Sequence, residues 1–303
     1  MMIMFKLRGV VPPMVTPFDQ EGELDIANLE KLVDYLKDHV HGLYICGSYG
    51  SGPMMNVEER KKVAEVCVRV ANGKIAIIAH TGTTNTRDTV ELTRHAEKIG
   101  CDGAAAVGPY YFHHTKEGVM AFYDAMLDAV SPTFPIYLYH NPKFSGYEIS
   151  LDSIRRLMDH GLHGIKDATF DIMKFATYMR ELGSKGFDVV LGTESMWTSA
   201  RALGAEAYIP GLANAFPEIC AKMWQEGMEN DFEACRQTQF VVNQMREVMY
   251  LAQSTQLAVY AMLEIRGILQ AYPRSPFVAA TPEAKDNIRK ALERLDIYYS
   301  LAV

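Results

Sequence analysis

The sequence predicts an α/β chain folded as a (β/α)8 TIM barrel with a C-terminal helical subdomain. Three observations lead there. Eight short apolar runs recur along the 303 residues, starting roughly 20 to 33 residues apart, the spacing of a strand plus a crossover helix. The intervals between them carry apolar residues at the helical period. The runs themselves read as buried, as strands of a parallel sheet covered on both faces do. An open doubly wound sheet is the alternative, and the absence of G-x-G-x-x-G after the first run weakens a dinucleotide-binding version of it.

The candidate strands, in order, are "GVVPPMV" from Gly9, "HGLYICG" from His41, "KIAIIAH" from Lys74 and "DGAAAVG" from Asp102. Then come "FPIYLYH" from Phe134, "HGIKDA" from His163, "DVVLGT" from Asp188 and "EAYIPG" from Glu206. Between the first two, "LDIANLEKLVDYLKD" repeats apolar residues at i, i+3 and i+4 from Leu24 to Leu36. "NVEERKKVAEVCVRVA" opens on Asn56 with Glu59 three residues on, close to a capping box. "RDTVELTRHAEKIG" stops at Gly100, a natural helix end. After the eighth run, Pro217 to about Leu301 reads as three or four helices, more than one closing helix needs. Residues 1–216 are thus the barrel core, and 217–303 the last barrel helix plus a C-terminal helical extension.

Composition narrows the functional class. The chain is 49% hydrophobic and 22% charged, with a formal net charge of -7, and it has no basic patch of the kind that binds nucleic acid or an anionic membrane. The partner expected is a small molecule. Five widely spaced cysteines without a C-x-x-C pair argue against a disulfide framework or a structural zinc site. The opening "MMIMFKLRGVVPPMV" is too short to span a bilayer and lacks the order of a signal peptide. A cytoplasmic location is expected.

In a barrel of this kind, chemistry gathers at the C-terminal strand ends. Those ends read "CGSYGSG", "GPYYFHH", "YHNPKFSG", "IKDAT" and "GTES", rich in Tyr, Ser, Thr and Lys. Lys166 stands inside one of the strands. A buried ammonium costs several kcal/mol unless paired or neutralised. Either Lys166 faces outward, paired with Asp167, or it lies inside the barrel, where desolvation lowers its pKa and makes it a nucleophile toward a ketone. Tyr139 ends the preceding strand and is either a packed aromatic or a proton shuttle. Gly47 to Gly52 form either a plain turn or a loop that aims N–H groups at an anion.

"VPPMVTPFDQEGELD", "GSYGSGPMMNVEER", "GPYYF", "YHNPKFSGYEIS", "GIKDAT" and "YPRSPF" together resemble, in order and spacing, the class I pyruvate-dependent aldolases. These are the dihydrodipicolinate synthase / N-acetylneuraminate lyase superfamily, and the likeness runs from Gly9 to Leu295. It is nearest in look to 2-keto-3-deoxygluconate-type aldolases. The resemblance implies that Lys166 forms a Schiff base with C2 of a 2-oxo acid and that Tyr139 is the general acid/base. It places Ser48 as the hydroxyl linking Tyr139 to Tyr111, a tyrosine that in many relatives reaches in from a neighbouring subunit. The backbone of Ser48 and Tyr49 would hold the carboxylate, and Gly192 and Ile209 would line the pocket. The resemblance further implies a homo-oligomer, tetramer or dimer. It calls for no metal or separate cofactor, since the iminium is the electron sink.

Four positions depart from the family pattern. Tyr49 and Ser51 replace a threonine and a glutamate of the usual G-T-T-G-E. Phe144 stands where dihydrodipicolinate synthases carry an arginine for a second carboxylate, and the adjacent Lys143 is expected to point elsewhere. Ala168 replaces a threonine typical of the sugar acid lyases. Glu194 in "GTES" is read as either a partner for substrate hydroxyls or a solvated loop carboxylate. His113, His114 and His140 lie near the same mouth without the spacing of a metal motif, and His140 is expected to tune the pocket.

The expected function is reversible cleavage of a 2-oxo acid, a 2-keto-3-deoxy sugar acid, to pyruvate and an aldehyde. A hydro-lyase or hydratase-aldolase acting on a less polar 2-oxo acid, or a dihydrodipicolinate synthase-like condensation, is the alternative. A sugar-acid sensor is the non-enzymatic one.

Overall fold

In the computed structural model, which describes residues 5–295, eight parallel strands form a nearly closed barrel with helices between them, followed by further helices. The strands are β1 Gly9–Val10, β2 Gly42–Ile45, β3 Ala76–His80, β4 Gly103–Val107, β5 Ile136–His140, β6 Gly164–Asp167, β7 Asp188–Leu191 and β8 Ala207–Tyr208. The helices are α1 Ile26–Leu36, α2 Val57–Ala71, α3 Thr86–Ile99, α4 Lys116–Leu127, the short α5 Pro142–Ser145, and α6 Leu151–Asp159. They continue with α7 Ile172–Glu181, α8 Trp197–Ala202, α9 Pro217–Met228, α10 Phe232–Met249, α11 Thr255–Ile265 and α12 Pro282–Arg294. All eight expected strands form, and among the described residues four α-helices follow β8. Residues 1–4 and 296–303, which include the ends of the opening apolar run and of the C-terminal segment, lie outside the described residues.

Strand β1 is shorter than its apolar run, because Pro12 and Pro13 have no N–H to give a ladder. The barrel closes around them through other atoms. The Pro12 carbonyl accepts from Tyr44 N at 3.0 Å, and Met14 N donates to the Tyr44 carbonyl at 3.0 Å. Helix starts follow local chemistry. Asn56 and Glu59 complete a reciprocal capping box on α2, and Asn85, Thr115, Ser150, Asp231 and Ser254 cap their own helices. Gly100, at φ +87°, ends α3 in the left-handed region, where a Cβ would be strained.

Side-chain parity along the strands creates two cores. Outward residues such as Leu43, Ile77, Leu138, Ile165 and Val189 pack against the helices. Inward residues, among them Val11, Tyr44, Ile78, Ala105, Tyr137, Tyr139 and Val190, fill the barrel. Lys166 stands between Ile165 and Asp167 on β6, so the two-residue period turns it inward. No described helix is long and apolar enough to cross a membrane.

Candidate active site

Lys166 is 4% exposed and lies opposite Tyr139 in the β5–β6 ladder, so the two side chains emerge side by side into the barrel. Its Nζ rests 3.8 Å from the centroid of the Tyr44 ring and 3.9 Å from that of Tyr139. Among the described residues no carboxylate comes within ion-pair distance of it. Desolvation pushes its pKa down from 10.5 to about 7. The two ring faces favour the ammonium by about 1 to 2 kcal/mol each when desolvated, but burial without a counter-charge outweighs them. The outward pairing with Asp167 is excluded. Asp167 faces the helix layer, accepts from Thr169 N at 3.1 Å, and has its own pKa raised to about 6 by burial.

The Tyr139 hydroxyl accepts from Asn141 Nδ2 at 3.1 Å and lies within hydrogen-bonding reach of the Ser48 hydroxyl. Burial raises its pKa, and these two contacts oppose the rise. Ser48 and Tyr49 sit in a turn between Cys46, at φ +57°, and Ser51, at φ +54°. The turn is closed by Gly52 N donating to Gly47 O at 3.0 Å and Ser51 N to Ser48 O at 3.2 Å. Among the described residues, the N–H groups of Ser48 and Tyr49 have no internal acceptor. Tyr49 lies along the pocket wall, its hydroxyl donating to Thr255 Oγ1 at 2.7 Å.

A cavity of about 230 Å³ opens above these groups. It is lined by Lys166, Tyr139, Ser48, Tyr49, Ala168, Gly192, Ile209, Phe144 and Glu194, so it unites nine of the ten residues expected at the site. Tyr111 is the exception. It is 85% exposed, holds φ +81° and meets the Phe112 ring edge-on. Within one chain it does not reach Tyr139.

One open alternative, for Glu194, is decided, and two expectations, for Lys143 and His140, are corrected. Glu194 is not solvated: it is 1% exposed, accepts from Arg246 Nη1 at 2.8 Å, and takes Gly211 N at 3.2 Å. Lys143 does not point away. It lines the cavity beside Phe144, its long side chain placing Nζ 5.9 Å from the centroid of the Phe170 ring on the same wall. His140 does not tune the pocket. It follows inward-facing Tyr139, so parity turns it outward, where its Nδ1 meets the Tyr178 hydroxyl at 2.8 Å. His113 is exposed and His114 lines a separate groove with Tyr147 and Glu148.

The cavity also recruits Asn141, Phe170, Arg246, Thr255 and Gln256, and Tyr44 lies beneath it against Lys166. None of these was expected. Tyr44 carried a usable signal, since the two-residue period from Ile45 turns it inward. Arg246, Thr255 and Gln256 come from α10 and α11, which carry no local motif.

The model of the dihydrodipicolinate synthetase family matches residues 6–295. The 4-hydroxy-tetrahydrodipicolinate synthase of Parvibaculum lavamentivorans is 30% identical over 291 residues, covering 95% of this chain and 98% of that protein. Among solved structures, the dihydrodipicolinate synthase from Aquifex aeolicus superposes with a TM-score of 0.89 at 28% identity, covering 98% of this chain and 99% of that one. A catalytic lysine mutant of the Ruminococcus gnavus sialic acid aldolase gives 0.91 at 26% identity, covering 98% of each.

Proposed function

We propose that this chain, which belongs to the dihydrodipicolinate synthetase family, cleaves a 2-oxo acid reversibly to pyruvate and an aldehyde through a Schiff base on Lys166. One observation carries this reading: an amine sealed inside the barrel, without a carboxylate partner, beside a buried tyrosine hydroxyl. At neutral pH a substantial fraction of that amine is unprotonated and able to attack C2. The carbonyl oxygen leaves as water, with Tyr139 moving protons to and from it. The N–H groups of Ser48 and Tyr49 receive the substrate carboxylate without reorganising. Tyr139 takes the proton of the C4 hydroxyl as the C3–C4 electron pair moves into the iminium to give an enamine, the aldehyde departs, and protonation at C3 followed by hydrolysis frees pyruvate. This chemistry requires no metal.

The outer half of the cavity supports a hydroxylated tail, as in a 2-keto-3-deoxy sugar acid. Glu194, Thr255, Gln256 and Asn141 offer it donors and acceptors. A second reading is condensation of pyruvate with an aldehyde that bears a carboxylate. The names of the relatives favour it, as do the cations Lys143 and Arg246 on the cavity wall. Phe144, in place of the arginine, weighs against it. A less polar 2-oxo acid finds support in Phe144 and Phe170, 53% and 44% exposed at the mouth. Steady-state rates with pyruvate and, in turn, a polyhydroxylated aldehyde, a carboxylated aldehyde and benzaldehyde decide among them. The hydroxylated tail requires the highest kcat/KM for the first, and a preference for either other aldehyde overturns it.

A further inference from the structure

We propose that Tyr44 is a positioning residue for the Schiff base: its ring face holds the nitrogen of Lys166 in place and stabilises the positive charge that appears there. The proposal rests on the Schiff-base reading above and adds a residue to it. Lys166 Nζ lies in a corner made by two aromatic faces, 3.8 Å from the Tyr44 centroid and 3.9 Å from the Tyr139 centroid. The rings meet nearly edge to face, at 74° with centroids 6.0 Å apart. His80 closes the floor, 6.1 Å from Tyr44 and 6.0 Å from Tyr139.

The corner matters because of how charge moves in the reaction. A neutral amine becomes an iminium cation in a space where no protein carboxylate touches it. The negative faces of the rings are the nearest fixed partners for that charge, and cation–π attraction is strongest where water is excluded. Tyr139 spends its hydroxyl on Asn141 and Ser48. The Tyr44 hydroxyl, in contrast, is buried and has no hydrogen-bond partner among the described residues. An unpartnered buried hydroxyl is a cost to the fold. The benefit of this side chain therefore lies in its ring.

The groups facing the amine are Tyr44 from β2, His80 from β3 and Tyr139 from β5, with Arg60 of α2 and Tyr123 of α4 behind them and Glu194 on the cavity wall. Burial and the neighbouring Arg60 and Lys166 hold His80 far below its usual range. It stays neutral where Lys166 titrates. Tyr44 and Tyr139 are both shifted upward by burial and stay neutral too.

The test replaces Tyr44 by Phe and by a trifluorinated phenylalanine, which keeps the shape of the ring and cancels its negative face. The extent and rate of pyruvate trapping by borohydride are followed across neutral pH. Tyr44→Phe keeps the ring and removes only the unpartnered hydroxyl, so it is the reference against which the fluorinated ring is read. The fluorinated ring is expected to lower the midpoint of the acid limb by about one pH unit and raise the pyruvate concentration for half-trapping about tenfold. A purely structural role leaves both readouts equal in the two variants and overturns the proposal. Loss of trapping in Tyr44→Phe assigns the role to the hydroxyl and overturns it as well. A wild type that cannot be trapped at all overturns the Schiff-base reading beneath it.

Discussion

Lys166 is a group whose chemistry and stability oppose each other. In the unfolded chain it titrates near 10.5 and in the folded protein near 7. Between those values the unfolded state binds more protons, so stability rises with pH across that window and the full penalty applies below about pH 7. Lys166→Met should therefore raise Tm, by most at or below neutral pH and by little near pH 10, since each pKa unit corresponds to about 1.4 kcal/mol. Denaturant unfolding at several pH values checks this. A variant no more stable than wild type would show that the amine finds compensation elsewhere. Imine formation has the matching dependence: its rate should climb as pH rises through about 7 and then level off. Tyr139→Phe should cut kcat by about 10²- to 10⁴-fold, while the pyruvate adduct still forms. Full-rate turnover would remove Tyr139 from proton transfer.

At the scale of elements, the site joins strand ends to helices far away in sequence. The Tyr49 hydroxyl bonds Thr255 across 206 positions, and Glu194 bonds Arg246 across 52. Gly211 is what lets Tyr49 lie flat along this wall, since a Cβ there would stand 2.5 Å from the ring. Gly211→Ala should push that ring into the cavity and raise KM for the 2-oxo acid at least several-fold, at a stability cost of about 1 to 3 kcal/mol. An unchanged KM would show that the Tyr49 ring does not border the bound substrate. These contacts also mark what the sequence could reveal. Strands and caps follow from local patterns of two or four residues, so Asn56 with Glu59 is legible, whereas the residues of "HGIKDAT" alone leave both faces open to Lys166 and only the family resemblance turns it inward. No local motif marks Arg246, and the sequence leaves Glu194 open between a substrate partner and a loop carboxylate, because nothing local records that α10 brings the two together. His140 differs for another reason: its place at the strand's C-terminal end puts it near the mouth, but next to inward-facing Tyr139 the two-residue period turns it to the opposite face.

At the scale of the whole molecule, the barrel sets polar chemistry on one end of an apolar core and the helices after β8 roof it. Tyr111 stands outside that enclosure on this chain. We infer that it acts in a neighbouring subunit, as the family resemblance implies. Mixed oligomers reassembled from the two inactive variants Lys166→Ala and Tyr111→Phe should then recover part of the activity, because some sites receive both intact residues. No recovery on mixing would confine Tyr111 to a role within its own chain. The most direct test of the Schiff-base assignment is intact-mass spectrometry after pyruvate and borohydride, on the wild type and on Lys166→Ala. A pyruvate-sized mass increase on the wild type alone is the predicted result. No adduct on the wild type, or the same adduct on Lys166→Ala, would contradict it.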